Sequence, residues 1–305
     1  MTGVRPRRAA DRRGELVGSF LTVAMAVMFA FVVVLGKSVL HGQLPFVLLT
    51  FRFAGTAAIL AALLAGTGRP LLPERGERLG IVIAGSVGYG TESAFYFAAL
   101  NHGNAAAVTL LFYTYPVIVM LATIAIDRRA PAPMLFLALG LAIAGSATVV
   151  IGGSGVEIEI VGIVLALCCA TAYSGYLIGA DHVLKRTNPM TAALWLAGSA
   201  SIANLVYAGL FRVTALPQGG DWLRVAGMSA FTVGAFICML AGLQRIGAVR
   251  NAIVGVLEPL AVALLGLVFL HEDVSASTAI GGTLILGGAV VATLVRTTRV
   301  REPDV

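Results

Sequence analysis

The chain has 305 residues, of which 58% are hydrophobic and 12% charged, with a formal net charge of +6 and a mean hydropathy of +0.93. A soluble domain is nearer half apolar and a quarter charged, so this composition is that of an all-α polytopic membrane protein. The basic residues stand in short gaps between apolar runs and form no patch, which excludes a nucleic-acid partner.

A helix needs about 20 apolar residues to cross a bilayer. The sequence predicts ten such helices, at roughly 18–40, 46–66, 79–99, 104–126, 133–152, 160–180, 190–211, 222–243, 248–270 and 276–295. The first follows a basic tail (1–17) and is too long for the apolar core of a signal peptide, so it reads as a membrane helix. The second carries Arg52 near its start. Arg52 either pairs with a substrate carboxylate or serves structure and gating. On the third, Gly85, Tyr89, Glu92 and Tyr96 share a helical face, as a pocket wall or as ordinary packing. The fourth contains Tyr113, Tyr115 and Pro116, and the ninth contains Glu258 and Pro259. Each proline removes an N–H and marks a point where the helix can bend. Asn251, Gly255 and Glu258 share a face by spacing. They form either the wall of a substrate cavity or a packing knot in which Glu258 bonds a neighbouring helix. Intramembrane acids are functional by default.

Lys and Arg fill alternate gaps: Arg5 to Arg13, then Arg69, Arg75 and Arg78, then Arg128 and Arg129, Lys185 and Arg186, Arg245 and Arg250, and the tail after 295. The other side has Lys37, Arg212 and Arg224 alone, each at a helix end. The positive-inside rule then puts both termini in the cytoplasm of a multi-pass protein of the plasma (inner) membrane. The cysteines, Cys168, Cys169 and Cys238, match no metal or disulfide spacing. No HExxH, nucleophile constellation or ATP-binding motif occurs, so neither an enzyme, a metal site, a cofactor nor a primary pump is expected.

The chain repeats internally. "KSVLHGQLP" (37–45) aligns with "DHVLKRTNP" (181–189), and "AALNHGNAAAVTLLFYTYPVIVML" with "AGLQRIGAVRNAIVGVLEPLAVAL". Pro116 falls on Pro259, Tyr115 on Glu258 and Gly145 on Gly288. Two halves, 18–152 and 160–295, would each hold five helices. An odd number inverts one half relative to the other, an architecture of secondary transporters with a midplane site.

At this level the sequence resembles the EamA family of the drug/metabolite transporter superfamily over about 18–295. The resemblance rests on "LPFVLLTFRFAG", on "ESAFYFAAL" followed by "AAAVTLLF", and on "LLFYTYPVIVMLATIAIDRRAPAPMLFLALGLAIAG". It rests also on "LEPLAVALLGLVFLHEDVSASTAIGGTLILGG", where Glu272 follows Pro259 by thirteen positions. In the first half the corresponding position is Arg129 where the family pattern has an acid. The resemblance implies export of amino acids or other small amphipathic metabolites by alternating access, with Tyr173, Tyr176 and Trp195 on cavity-facing helices. Protons are a candidate coupling ion, and the Gly-rich last helix suits a monomer or a homodimer. The alternatives are a flippase for lipid-linked or phosphorylated cargo, which needs cations in the cavity, and a non-transporting scaffold.

Overall fold

The computed structural model describes residues 5–37, 39, 45–103, 108, 111–128, 131–154, 158–261, 264–265 and 276–294. These residues are almost entirely helical. In chain order they form α1 (Arg5–Lys37), α2 (Phe46–Gly66), α3 (Arg78–Ile83), a π-helical stretch (Ala84–Gly90) and α4 (Thr91–Ala99). After these come α5 (Tyr115–Asp127), α6 (Pro133–Ser154), α7 (Ile160–Val183), α8 (Pro189–Leu210), α9 (Asp221–Gly255) and α10 (Ala276–Leu294). Five are long and apolar enough to cross a membrane: Arg13–Gly36 within α1, then α2, α7, α8 and α9. Arg129 and Glu272 lie outside the described residues.

Two elements depart from straight helices. The separate helices expected at 222–243 and 248–270 meet in one element, α9, which turns at Gly247 (φ 75°, ψ 170°). Only glycine adopts that conformation without strain. The segment 78–99 is continuous but widens into a π-helix over Ala84–Gly90. Close packing accompanies the widening. A Cβ at Gly85 would overlap Ser199 Oγ and stand 2.6 Å from the carbonyl of Leu196, and one at Gly90 would stand 3.2 Å from Ala200 Cα. The small residues let this segment press against α8 backbone to backbone. The extra residue per turn rotates α4, and with it Glu92 and Tyr96, relative to α3.

Packing pairs the halves with each other. α1 lies along α9, α2 along α8, α4 along α7, α5 against α7 and α9, and α6 along α10. The α6–α10 crossing is set by two glycines. A Cβ at Gly145 would be 2.5 Å from the Gly281 carbonyl, and one at Gly288 would be 2.7 Å from the Ala138 carbonyl. These are the two positions that the internal repeat superimposes. Helices in lipid gain little from burying apolar surface against each other, so such close backbone contact is the main source of adhesion.

One polar knot ties the 67–77 connection to the 184–188 connection. The backbone N–H groups of Lys185, Arg186 and Thr187 donate to the buried Glu77 carboxylate at 2.8–3.0 Å. Thr191 Oγ1 donates to the Pro70 carbonyl, Trp195 Nε1 to the Leu71 carbonyl, and Gln244 Nε2 to the carbonyls of Leu184 and Thr187. Burial pushes the Glu77 carboxyl up, but the hydrogen bonds from Thr187, Arg186 and Lys185 outweigh it and hold the pKa below the ordinary 4.5.

This packing can be tested at both places. Gly288→Leu will lower stability by about 1–3 kcal/mol, the usual cost of overpacking, read as an earlier melting transition in detergent. Glu77→Gln will lower stability at neutral pH by about 2 kcal/mol, the scale of charged hydrogen bonds. Because the folded pKa is depressed, the Glu77 contribution is full above pH 4.5 and declines as pH falls through the lowered value. The melting curves of wild type and Glu77→Gln will therefore converge on acidification.

Candidate functional site

Pro116 and Pro259 each sit at a break. The chain turns at Tyr113–Thr114 before α5 begins at Tyr115, and at Val256–Leu257 before helix resumes at Glu258. The prolines withhold the N–H that the carbonyls of Phe112 and Gly255 would otherwise accept. Non-helical backbone at membrane depth is tolerated where it faces protein or a cavity. A cavity of about 60 Å³ lies there, lined among others by Phe29, Arg52, Tyr89, Glu92, Tyr96, Phe112, Tyr173 and Glu258. It is displaced toward the end of the bundle where α1 and α4 finish and α2 starts.

Its wall is aromatic. Six of the chain's 7 tyrosines, Tyr89, Tyr96, Tyr113, Tyr115, Tyr173 and Tyr176, stand in one contact network with Phe29, Phe53, Phe97, Phe112 and Phe236. Tyr89 meets Phe29, Phe53, Tyr173, Tyr176 and Phe236 at centroid separations of 4.8–6.3 Å. Phe112 meets Tyr96, Tyr115 and Tyr173 at 5.0–5.6 Å. Most of these pairs are edge-on or tilted, the geometry that the ring quadrupole favours. The hydroxyls of Tyr173 and Tyr176 both donate to Met239 Sδ at 3.8 Å. A thioether is a weak acceptor, so these hydroxyls are held loosely.

Three ionisable side chains face the aromatic wall. Arg52 is 2% exposed, donates through Nε to Thr232 Oγ1 at 3.0 Å and stacks its guanidinium 4.8 Å over the Phe53 ring. Among the described residues it is the only cation that lines the cavity. Glu92 is buried and accepts from Ser93 Oγ at 3.1 Å and Cys169 Sγ at 3.5 Å. Glu258 stands at the first turn after the break, next to Pro259, partly open to the cavity.

The structure therefore brings Arg52, Tyr89, Tyr96, Glu92, Tyr173 and Glu258 together, and places the other expected residues elsewhere. Gly85 packs on α8. Tyr115 lies beneath the cavity, its hydroxyl donating to the Ala252 carbonyl at 3.0 Å. Gly255 is where Tyr115 crosses: a Cβ there would meet the Tyr115 hydroxyl at 2.9 Å. Asn251 turns away, to Thr22 Oγ1 on α1. Trp195 belongs to the polar knot around Pro70 and Leu71. Asn251 and Glu258 part because α9 breaks between Gly255 and Glu258, which rotates the acid out of helical register. Phe29, Phe97 and Phe112 escape a reading of the sequence, since an aromatic in an apolar run carries no polar signal. The pairing of Phe29 with Tyr173 in the repeat is the signal that finds the first.

The family model of the EamA-like transporter family matches residues 16–151 and again 160–294. A relative from Ancylobacter novellus, the aromatic amino acid exporter YddG, is 33% identical over 264 residues, covering 82% of this chain and 88% of its own. An uncharacterised transporter from Archaeoglobus fulgidus is 26% identical, covering 92% of this chain and 96% of its own. A solved crystal structure superimposes with a TM-score of 0.78 at 23% identity over 92% of this chain and 96% of that chain, which is a likeness of fold.

The geometry makes a direct prediction. In a chain whose Cys168, Cys169 and Cys238 are replaced by serine, a cysteine at Ser93 will react with a small water-soluble thiol reagent. A cysteine at Asn251 will react at least about tenfold more slowly, because that site is closed by α1.

Proposed function

We propose that this chain, which belongs to the EamA-like transporter family and is a membrane transporter of the drug/metabolite type, exports aromatic amino acids or closely related amphipathic compounds by alternating access. The carrying observation is the cavity: an aromatic wall with a lone guanidinium and two carboxylates around one small space. An amino-acid zwitterion has one group for each. Its carboxylate fits Arg52, whose fork suits bidentate pairing. Its ammonium fits Glu258 and Glu92, and its ring fits the edges of Tyr89, Tyr173 and Phe112. The activity in the name of the Ancylobacter novellus relative supports the same class.

The proposal includes ten membrane helices in two inverted five-helix halves, about 18–152 and 160–295, with both termini cytoplasmic. The observed pairings support it. Under the repeat, α1 corresponds to α7, the 78–99 segment to the first part of α9, α2 to α8 and α6 to α10. The α1–α9 contact then maps onto the α7–α4 contact, and the α2–α8 and α6–α10 contacts map onto themselves. On this orientation the cavity lies in the outer half. Tyr115 is the repeat mate of Glu258, so the second half alone brings an acid to its proline break. Phosphorylated or lipid-linked cargo is served less well, because Arg52 stands beside two acids.

Counterflow in proteoliposomes loaded with mixed amino acids tests this. Exchange of phenylalanine, tyrosine or tryptophan above empty vesicles is expected. Arg52→Gln and Glu258→Gln will each lower it by at least about tenfold, the scale of a lost buried charge pair. Exchange confined to non-aromatic solutes would overturn the substrate class. If Glu258 also carries a coupling proton, the exchange that remains in Glu258→Gln will no longer vary with pH; an unchanged pH profile removes protons from the mechanism.

A further inference from the structure

The first apolar spans of the two halves carry the same four-residue pattern near their starts, "ELVG" at 15–18 and "EIVG" at 159–162. The repeat superimposes Glu15 on Glu159 and Gly18 on Gly162. Inversion sends the two patterns to opposite ends of the bundle. Each glycine lets its helix approach the connection that ends a helix of the other half. A Cβ at Gly18 would stand 2.8 Å from Arg245 Cβ and 2.6 Å from Ile246 Cγ2, and one at Gly162 would stand 2.8 Å from the His102 carbonyl. Each glutamate meets a basic residue at that same end. Glu15 Oε2 is 3.4 Å from Arg250 Nη1, and Glu159 Oε2 is 2.9 Å from His102 Nδ1. The second pair is reinforced by the Glu159 N–H donating to the His102 carbonyl at 2.8 Å and by the bridge between Gly103 and Ile158.

We propose that these are the two end clamps of the transport cycle, Glu15–Arg250 at the cytoplasmic end and Glu159–His102 at the outer end, and that each opens in turn. Both are made here, the outer one at the surface, where the His102 and Glu159 side chains are 39% and 71% exposed. The cytoplasmic clamp carries its own sign of an unfinished arrangement. Arg250 is 3% exposed, and among the described residues its three guanidinium nitrogens have no hydrogen-bond partner. An ion pair without hydrogen-bond geometry leaves most of the desolvation of a buried guanidinium uncompensated. A state in which this end opens to water restores those partners. Closed, the clamp is therefore weakly bistable, as a gate that must release on each cycle has to be. Asn251, the neighbour of Arg250, bonds Thr22 on α1, so movement of Arg250 is transmitted along the α1–α9 seam.

This inference rests on the alternating-access reading and is tested by accessibility, independently of any substrate. The reporters are Thr22→Cys beneath the cytoplasmic clamp and its repeat mate Ala166→Cys beneath the outer one, both fully buried. Each is placed in a chain otherwise free of cysteine and assembled in nanodiscs. Glu15→Gln is expected to raise the maleimide reaction rate at Thr22→Cys on the order of tenfold and to leave or lower that at Ala166→Cys. Glu159→Gln is expected to do the reverse. Exchanging the charges, Glu15→Arg with Arg250→Glu, is expected to return the Thr22→Cys rate toward its starting value, which general loosening would not do. Rates that rise together at both reporters, or move at neither, overturn the clamps. Failure of counterflow with the labelling pattern intact would overturn the substrate class alone. Intact counterflow with unchanged labelling would overturn the clamps alone.

Discussion

The bilayer offers no water to a backbone group that lacks a partner. That constraint makes Pro116 and Pro259 the centre of this structure. Each withholds one N–H inside the bundle and frees one carbonyl, and each sits where its helix turns and restarts. The residues that flank the two breaks, Phe112 and Glu258, line one cavity with the aromatic wall, Arg52 and Glu92. The cavity thus lies beside the two breaks, and the side chains around it give it chemistry.

The same constraint explains how the halves hold together. Apolar side chains do not drive association inside lipid as they do in water. Adhesion has to come from close approach and from polar groups that would otherwise be orphaned. Gly145 against Gly281, Gly288 against Ala138, and Gly85 against Leu196 are close approaches. Arg52 to Thr232, Asn251 to Thr22 and Tyr115 to Ala252 are polar seams. Each of these contacts joins an element of one half to an element of the other. The fold is two interlocked repeats, held along seams that run between the halves.

Much of this is legible in the sequence, for physical reasons. Membrane helices announce themselves by length and hydropathy, so the expected 46–66, 133–152, 160–180, 190–211 and 276–295 agree with α2, α6, α7, α8 and α10 within a few residues, whereas α1 begins at Arg5 and the expected 222–243 and 248–270 meet in α9. Glu92, Glu258, Arg52 and the prolines stand out because each is costly in lipid. The features that escape have no such cost. Phe29 and Phe112 look like any lipid-facing aromatic until the fold brings them against tyrosines. The π-helical stretch goes with contacts of Gly85 and Gly90 on α8, which no local propensity encodes. Asn251 and Gly255 belong beside Glu258 only on a helix that runs unbroken through Pro259, and this one does not. Family resemblance points Trp195 toward the cavity, yet its indole caps the Leu71 carbonyl near the start of its helix.

A cavity of about 60 Å³ holds a few waters and no aromatic amino acid. A solute of the proposed class would have to displace the wall. Rings that meet at edges and tilts can exchange one aromatic edge for another with little loss. The hydroxyls of Tyr173 and Tyr176 share one thioether and give up little when they turn to a solute. Arg52 is different, because it is anchored by Thr232 and stacked on Phe53. Under the proposed function, a fixed guanidinium facing an aromatic wall would select for the charged end of a ligand and tolerate variety in its ring.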